Sequence, residues 1–82
     1  MIAVTMYSRP GCHLCDEARE SLQRVQTRVP FTLQEVDITA DDALHARYLE
    51  RIPVISLEGE DLFDYEVDED ALERAILYRE GR

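Results

Sequence analysis

The chain has 82 residues, with 18 acidic side chains against nine basic ones, a net charge of −9, 45% hydrophobic residues and no tryptophan. That length supports one small core and one domain over residues 1–82, and so large an acidic surplus argues against a nucleic-acid partner. The start, Met1 to Tyr7, lacks the basic stretch and long apolar run of a signal peptide or membrane span, so a cytoplasmic monomer without membrane contact is expected.

Ile2 to Tyr7 has the Val/Ile/Thr/Tyr composition of a strand. From Cys12 the period changes. Leu14, Ala18, Leu22, Val25 and Val29 recur at steps of three and four, which predicts an amphipathic helix with those residues as its buried stripe, ended by Val29-Pro30. Phe31 to Ile38 reads as a second strand whose alternation slips at Gln34-Glu35. Two strands joined by a helical crossover of this length should be parallel, with a right-handed connection. Thr39-x-x-Asp42 resembles a capping box for a short helix carrying Ala40, Leu44 and Tyr48 on one side. Val54-Ile55-Ser56-Leu57, a turn at Glu58-Gly59-Glu60-Asp61 and Leu62-Phe63-Asp64-Tyr65 then suggest an antiparallel hairpin. Asp68 can cap a last helix with an acidic first turn, Val67 and Leu72 at staple positions, and Ala71, Ala75 and Ile76 on the buried side.

The only two cysteines form Cys12-His13-Leu14-Cys15, placed between the first strand and the first helix of a βαβ pattern. There a Cys-x-x-Cys pair reads as a dithiol/disulfide site, because thiol-disulfide exchange needs an accessible thiolate with a second sulfur close by. Residues three apart in a regular helix hold their Cβ atoms about 5 to 6 Å apart, too far for a disulfide, so Cys12 should lie at the non-helical start and Cys15 inside the first turn. Pro10-Gly11 supplies turn chemistry for that approach. Unpaired N–H groups and the helix dipole would then lower the Cys12 pKa, making it the nucleophile and Cys15 the resolving thiol. Asp16, Glu17 and Glu20 act against this. His13 is either a second positive group or a surface residue that fits the turn, and His45 reads as a solvated residue of the short helix. Half of the acidic residues lie between Glu58 and Glu73 with no basic residue among them, either a solvated face or a mark for a basic partner.

The order strand, helix, strand, helix, strand, strand, helix, with Tyr7-Ser8-Arg9-Pro10-Gly11-Cys12-His13-Leu14-Cys15 and Arg51-Ile52-Pro53-Val54, resembles the small glutaredoxin-like proteins of the thioredoxin superfamily over essentially the whole chain. The resemblance implies a thioredoxin-like, glutaredoxin-type α/β fold, a four-stranded mixed sheet in the order second, first, third, fourth strand, flanked by three helices. It also implies thiol-disulfide oxidoreductase activity through a redox-active Cys12–Cys15 disulfide, with no bound cofactor and no metal. By the same resemblance Pro53 is a cis-proline opposite the dithiol, the backbone of Ile52 pairs with the substrate, and Tyr7 and Arg9 occupy active-site positions. Arg51 replaces the usual Thr and brings a positive charge to the cleft, and Asp68 could contact the substrate as well as cap.

Phe63-Asp64-Tyr65-Glu66 stands where glutaredoxins carry Gly-Gly, so weak glutathione recognition is expected. A flavin-dependent reductase, another redoxin or a different small thiol becomes the expected electron source. The substrate would be a disulfide-containing protein or a small-thiol disulfide. Thioredoxin proper is disfavoured by the missing Trp and by Met6 at the buried-carboxylate position. Two other readings stay open at this point: a non-enzymatic thiol sensor or binding module, and a metal or iron–sulfur carrier using Cys12, for which Cys12, His13 and Cys15 supply too few ligands without a partner chain.

Overall fold

The computed structural model describes residues 1–81. In chain order it contains β1 (Ala3–Ser8), α1 (His13–Gln26), β2 (Thr32–Asp37), a single 3₁₀ turn (Ile38–Ala40), α2 (Asp42–Tyr48), β3 (Val54–Leu57), β4 (Glu60–Asp64) and α3 (Glu69–Arg79). The strands form one sheet in the order β2-β1-β3-β4. β1 pairs parallel with β2 and antiparallel with β3, and β3 pairs antiparallel with β4. This is the thioredoxin-like arrangement of a mixed sheet with three helices.

Alternation along β1 divides the core. Val4 and Met6 are wholly buried on one face, while Tyr7 on the other stacks on Tyr48 of α2 with ring centroids 4.5 Å apart. That contact places α2 on the Tyr7 face. The opposite face belongs to α1 and α3, which contribute Ala18, Leu22, Val25, Leu72 and Ile76 to the core. Ion pairs from Arg24 to Glu69 and from Arg28 to Glu73 tie these two helices together along their outer edge. β3 is buried at all four positions because it lies inside the sheet with cover on both faces.

Three local expectations are corrected, and the slip in β2 is explained. Leu14 is 44% exposed, and Cys15 takes the first place on the buried stripe, which runs Cys15, Ala18, Leu22, Val25. The four-residue step from Leu14 to Ala18 fits the helical period, but Leu14 sits at the helix mouth, beyond the edge of the sheet. The cap of α2 is Asp41, whose Oδ1 accepts from the N–H groups of Ala43 and Leu44, rather than Thr39. Thr39 lies in the 3₁₀ turn, bonded to Asp37. The β2 ladder runs unbroken from Ala3↔Thr32 to Ser8↔Asp37, so the slip at Gln34-Glu35 is no break in the backbone. Leu33 pairs with Val4 and Val36 with Tyr7, on opposite faces of an edge strand, which is why the apolar pattern lost its parity. Finally, the hairpin turn is only Glu58-Gly59, with φ of 49° and 87°. Two successive left-handed residues make the tight connection whose twist matches the strands.

Candidate functional site

β1 delivers the chain to the dithiol. After Ser8 the loop Arg9-Pro10-Gly11 turns, with Gly11 at φ 75°, a conformation that suits a residue without Cβ. Cys12 follows in extended geometry (φ −88°, ψ 107°) as the cap of α1. Its carbonyl accepts the first helical hydrogen bond, from Asp16 N at 3.2 Å, and its Sγ accepts from Cys15 N at 3.1 Å. The extended cap brings the two Cα atoms to 5.2 Å, and the sulfurs are joined as a disulfide. The pair is unequal: Cys12 is half-buried at the rim, whereas Cys15 is 1% exposed and belongs to the core. Between them His13 and Leu14 face solvent.

A network below the loop was not foreseen. Arg19 grips Glu35 with two hydrogen bonds, Nε to Oε1 at 2.8 Å and Nη2 to Oε2 at 2.7 Å, and holds Asp16 at 2.9 Å. Ser8, which is 4% exposed, donates to Glu35 Oε2 at 3.0 Å. The Glu35 carboxyl is held below its usual pKa, first by the Arg19 hydrogen bonds, against partial burial, and with help from Ser8. The network ties the end of β1 to β2 and to the first turns of α1, and it occupies one of the carboxylates expected to oppose a Cys12 thiolate. The three-residue spacing of Asp16 and Arg19 on one helix was the available signal. Arg9 and His13 are exposed and make no ion pair among the described residues.

The register of β1 with β3 pairs Tyr7 with Val54, so Pro53 comes to the same end of the sheet as Ser8 and the dithiol loop. The Ile52–Pro53 peptide bond is cis, and both residues are buried. Arg51 is not a free charge in the cleft. Its guanidinium makes two 3.0 Å hydrogen bonds to Asp64, lies 3.5 Å from Asp61 and sits over the Tyr48 ring. Asp61 also accepts from Ser56 Oγ at 2.6 Å and from the Tyr48 hydroxyl. Tyr7 is engaged in its stack on Tyr48, and Asp68 caps α3 by accepting from Ala71 N at 3.0 Å. Tyr7, Arg9, His13, Ile52 and Pro53 therefore gather at the dithiol end, while the side chains of Arg51 and Asp68 are committed to structural partners.

Phe63 and Asp64 lie within β4, and the residue that turns the chain after the strand is Tyr65, at φ 69°. Its N–H donates to Pro53 O at 2.8 Å and its hydroxyl donates to Glu50 O. A tyrosine thus holds the left-handed position that glycine would take, fastened to the segment carrying Pro53. No group of three or more His, Cys, Asp or Glu side chains among the described residues is arranged to hold a metal. No helix among them is long and apolar enough to cross a membrane.

Residues 3–77 match the family described as Glutaredoxin-like domain (DUF836). The chain belongs to that glutaredoxin-like family. A glutaredoxin-like protein of Dictyostelium discoideum is 30% identical over 79 residues, covering 87% of this chain and 71% of the relative. The solution structure of a Nitrosomonas europaea protein superposes with a TM-score of 0.81 at 32% identity, covering 90% of this chain and 89% of the other. A thioredoxin variant from Halobacterium salinarum has a TM-score of 0.67 at 21% identity, over 94% of this chain and 73% of that one, a likeness of fold alone. Glutaredoxin-like membership together with a Cys-x-x-Cys pair at the start of α1 supports a redox-type function.

Proposed function

We propose that this glutaredoxin-like chain is a thiol-disulfide oxidoreductase that works through a dithiol cycle, with Cys12 as nucleophile and Cys15 as resolving thiol. The observation that carries this reading is the inequality of the two linked sulfurs, one at the rim and capping a helix, the other 1% exposed beneath it. In the reduced chain the Cys12 thiolate attacks a substrate disulfide, forms a mixed disulfide and expels one substrate thiolate, which takes up a proton. Cys15 then loses its proton and attacks Cys12 Sγ, closing the internal disulfide and expelling the second substrate thiolate. Two electrons have passed to the substrate.

The Cys15 N–H directed at Cys12 Sγ and the α1 dipole favour the thiolate. A lowering of two pKa units would correspond to about 2.7 kcal/mol. Arg9 adds positive potential from a solvent-facing position. Ile52 and Pro53, with Tyr7 behind them, are read as the wall against which the substrate segment lies.

For the electron source we favour a flavin-dependent reductase, another redoxin or a small thiol other than glutathione, because the Tyr65 side chain stands where a close ligand backbone would need a glycine. Steady-state reduction with glutathione against a thioredoxin reductase tests this part. Saturation by glutathione at submillimolar concentration would reject it and leave the dithiol cycle standing. The cycle itself is tested by Cys15→Ser, which should accumulate a mixed disulfide on Cys12 that mass spectrometry detects after exposure to a disulfide substrate. A Cys15→Ser chain without an adduct, under conditions that oxidise the parent, would sink the two-step mechanism.

A further inference from the structure

Beside the dithiol a groove of about 210 Å³ runs between α1 and the loop joining β4 to α3. Its walls are Leu14, Ala18 and Ser21 on one side and Tyr65, Glu66 and Val67 on the other, with Glu17 on the rim. Two observations mark it as a place where something docks. Leu14 and Tyr65 are 44% and 48% exposed, apolar surface left open immediately beside a reactive disulfide. Leu14 lies between the two cysteines, and Tyr65 is hydrogen-bonded to Pro53, so both walls are fastened to the elements that flank the sulfurs.

The charge is one-sided. Glu17 and Glu66 make no side-chain hydrogen bond or ion pair among the described residues, whereas Glu69 and Glu73 of α3 are taken by Arg24 and Arg28. Arg51, expected to bring a positive charge to the cleft, is held by Asp64 and Asp61. The groove therefore presents two exposed apolar side chains, Leu14 and Tyr65, in a largely polar lining with two carboxylates that no cation among the described residues pairs with.

We infer that the groove receives a cysteine-bearing polypeptide segment in which an apolar side chain and at least one lysine or arginine flank the disulfide, the apolar group lying on Leu14, Tyr65 and Val67 and the cation between Glu17 and Glu66. This rests on the dithiol reading and narrows it. The preferred substrate is a basic protein disulfide rather than an anionic small one. No chemistry beyond the exchange already written is needed: the peptide disulfide is reduced to two thiols while Cys12 and Cys15 are oxidised.

The experiment uses pre-reduced chain and disulfide-linked dimers of two blocked peptides of equal length. One carries a leucine and two lysines around its cysteine, the other a leucine and two glutamates, and a small neutral disulfide serves as the reference. The lysine dimer should react faster than the glutamate dimer by about tenfold at low salt, falling to about twofold or less at 1 M salt, as expected for contacts between exposed charges. Glu17→Gln combined with Glu66→Gln should bring the ratio of the two peptides toward one, and Leu14→Ser should slow the lysine dimer relative to the neutral reference. Equal peptide rates, a preference for the glutamate dimer, or an undiminished ratio in the double variant would each overturn the inference while leaving the oxidoreductase reading intact. Failure to reduce even the neutral reference would remove that reading and this inference with it.

Discussion

Asp61 is the side chain whose loss the structure prices most clearly. Its carboxylate is 20% exposed and accepts hydrogen bonds from Ser56, at 2% exposure, and from Tyr48, at 3%. Arg51 and Arg47 approach it at 3.5 and 4.0 Å. Asp61→Ala leaves two covered hydroxyl groups without their acceptor, each worth about 1 to 3 kcal/mol, with the lower half of that range applying because water can enter the vacated space. The arginine contacts add little, since exposed pairs are worth about 0.2 to 1 kcal/mol and Arg51 keeps Asp64. A total near 3 kcal/mol follows, a quarter or more of the stability expected for a chain of this size, and a fall in Tm of roughly 12 to 24 °C. Asp61→Asn retains an acceptor and should cost about 1 kcal/mol. Burial by itself would raise the Asp61 carboxyl, but the Ser56 and Tyr48 hydrogen bonds and the two arginines win, and its pKa is lowered in the folded chain. A lowered folded pKa means that the ionised carboxylate stabilises above its unfolded value near 3.9 and that this contribution disappears as the pH falls through the lower folded value. The penalty of Asp61→Asn should therefore shrink below about pH 4. Thermal melts of both variants at neutral and acid pH check this, and an Asp61→Ala chain within about 0.5 kcal/mol of the parent would refute the reasoning.

Arg19→Gln releases Asp16 one helical turn after Cys12, so the alkylation midpoint of Cys12 should move up by about 0.3 pH unit, the size expected for one exposed charge contact on a helix; adding Asp16→Asn should restore it, and an unchanged midpoint in the single variant would rule out this coupling. Glu58→Asn places a residue tolerant of positive φ in the first left-handed position of the hairpin turn, and urea unfolding should show a gain of about 0.5 kcal/mol; a loss would mean that the weak contact from Ala3 N to the Glu58 carboxylate outweighs the backbone effect.

The architecture was legible because its signals are local. The strand composition of β1, the helical period after Cys12 and the Glu58-Gly59 turn each reflect a backbone preference that acts within a few residues. Asp68, preceding an acidic first turn and followed by Leu72, is read the same way. The errors fall where a neighbour in space decides. Leu14 has the spacing of a core residue and becomes exposed because no element covers the mouth of α1. Thr39 loses the capping role to Asp41 because a 3₁₀ turn intervenes. At the site, Cys12 and Cys15 were legible from spacing and place. The Arg19–Glu35 grip joins residues 16 apart, and the Arg51–Asp64 grip joins residues 13 apart. Such pairings follow from the parallel crossover and from the hairpin, so they emerge only once the sheet order is known. Tyr65 carried no signal, since a tyrosine at positive φ is what composition argues against.

Charge illustrates the same point and bears on what approaches the dithiol. From Glu58 to Glu73 the chain has nine acidic residues and no basic one, yet Glu60, Asp61, Asp64, Glu69 and Glu73 each meet an arginine brought from elsewhere. The stretch is thus not a uniform negative face. Folding pairs the acids on either side of its middle and leaves uncompensated charge at particular places, among them Glu66 beside Tyr65, which lines the groove with Glu17. With screening over about 8 Å at physiological salt, only charges at such close range act on an approaching substrate. Arg9, in the β1–α1 loop, is also without an ion pair among the described residues, but Asp16, Glu35 and Asp37 line the same hollow as Arg9 and Arg19, so the loop is of mixed charge and the unpaired carboxylates of the groove are the one-signed feature near the sulfurs. On the docking inferred above, they draw the cationic part of a polypeptide toward the loop that joins β4 to α3. They offer much less to a compact anion, which would meet Glu17 and Glu66 with no cation between them.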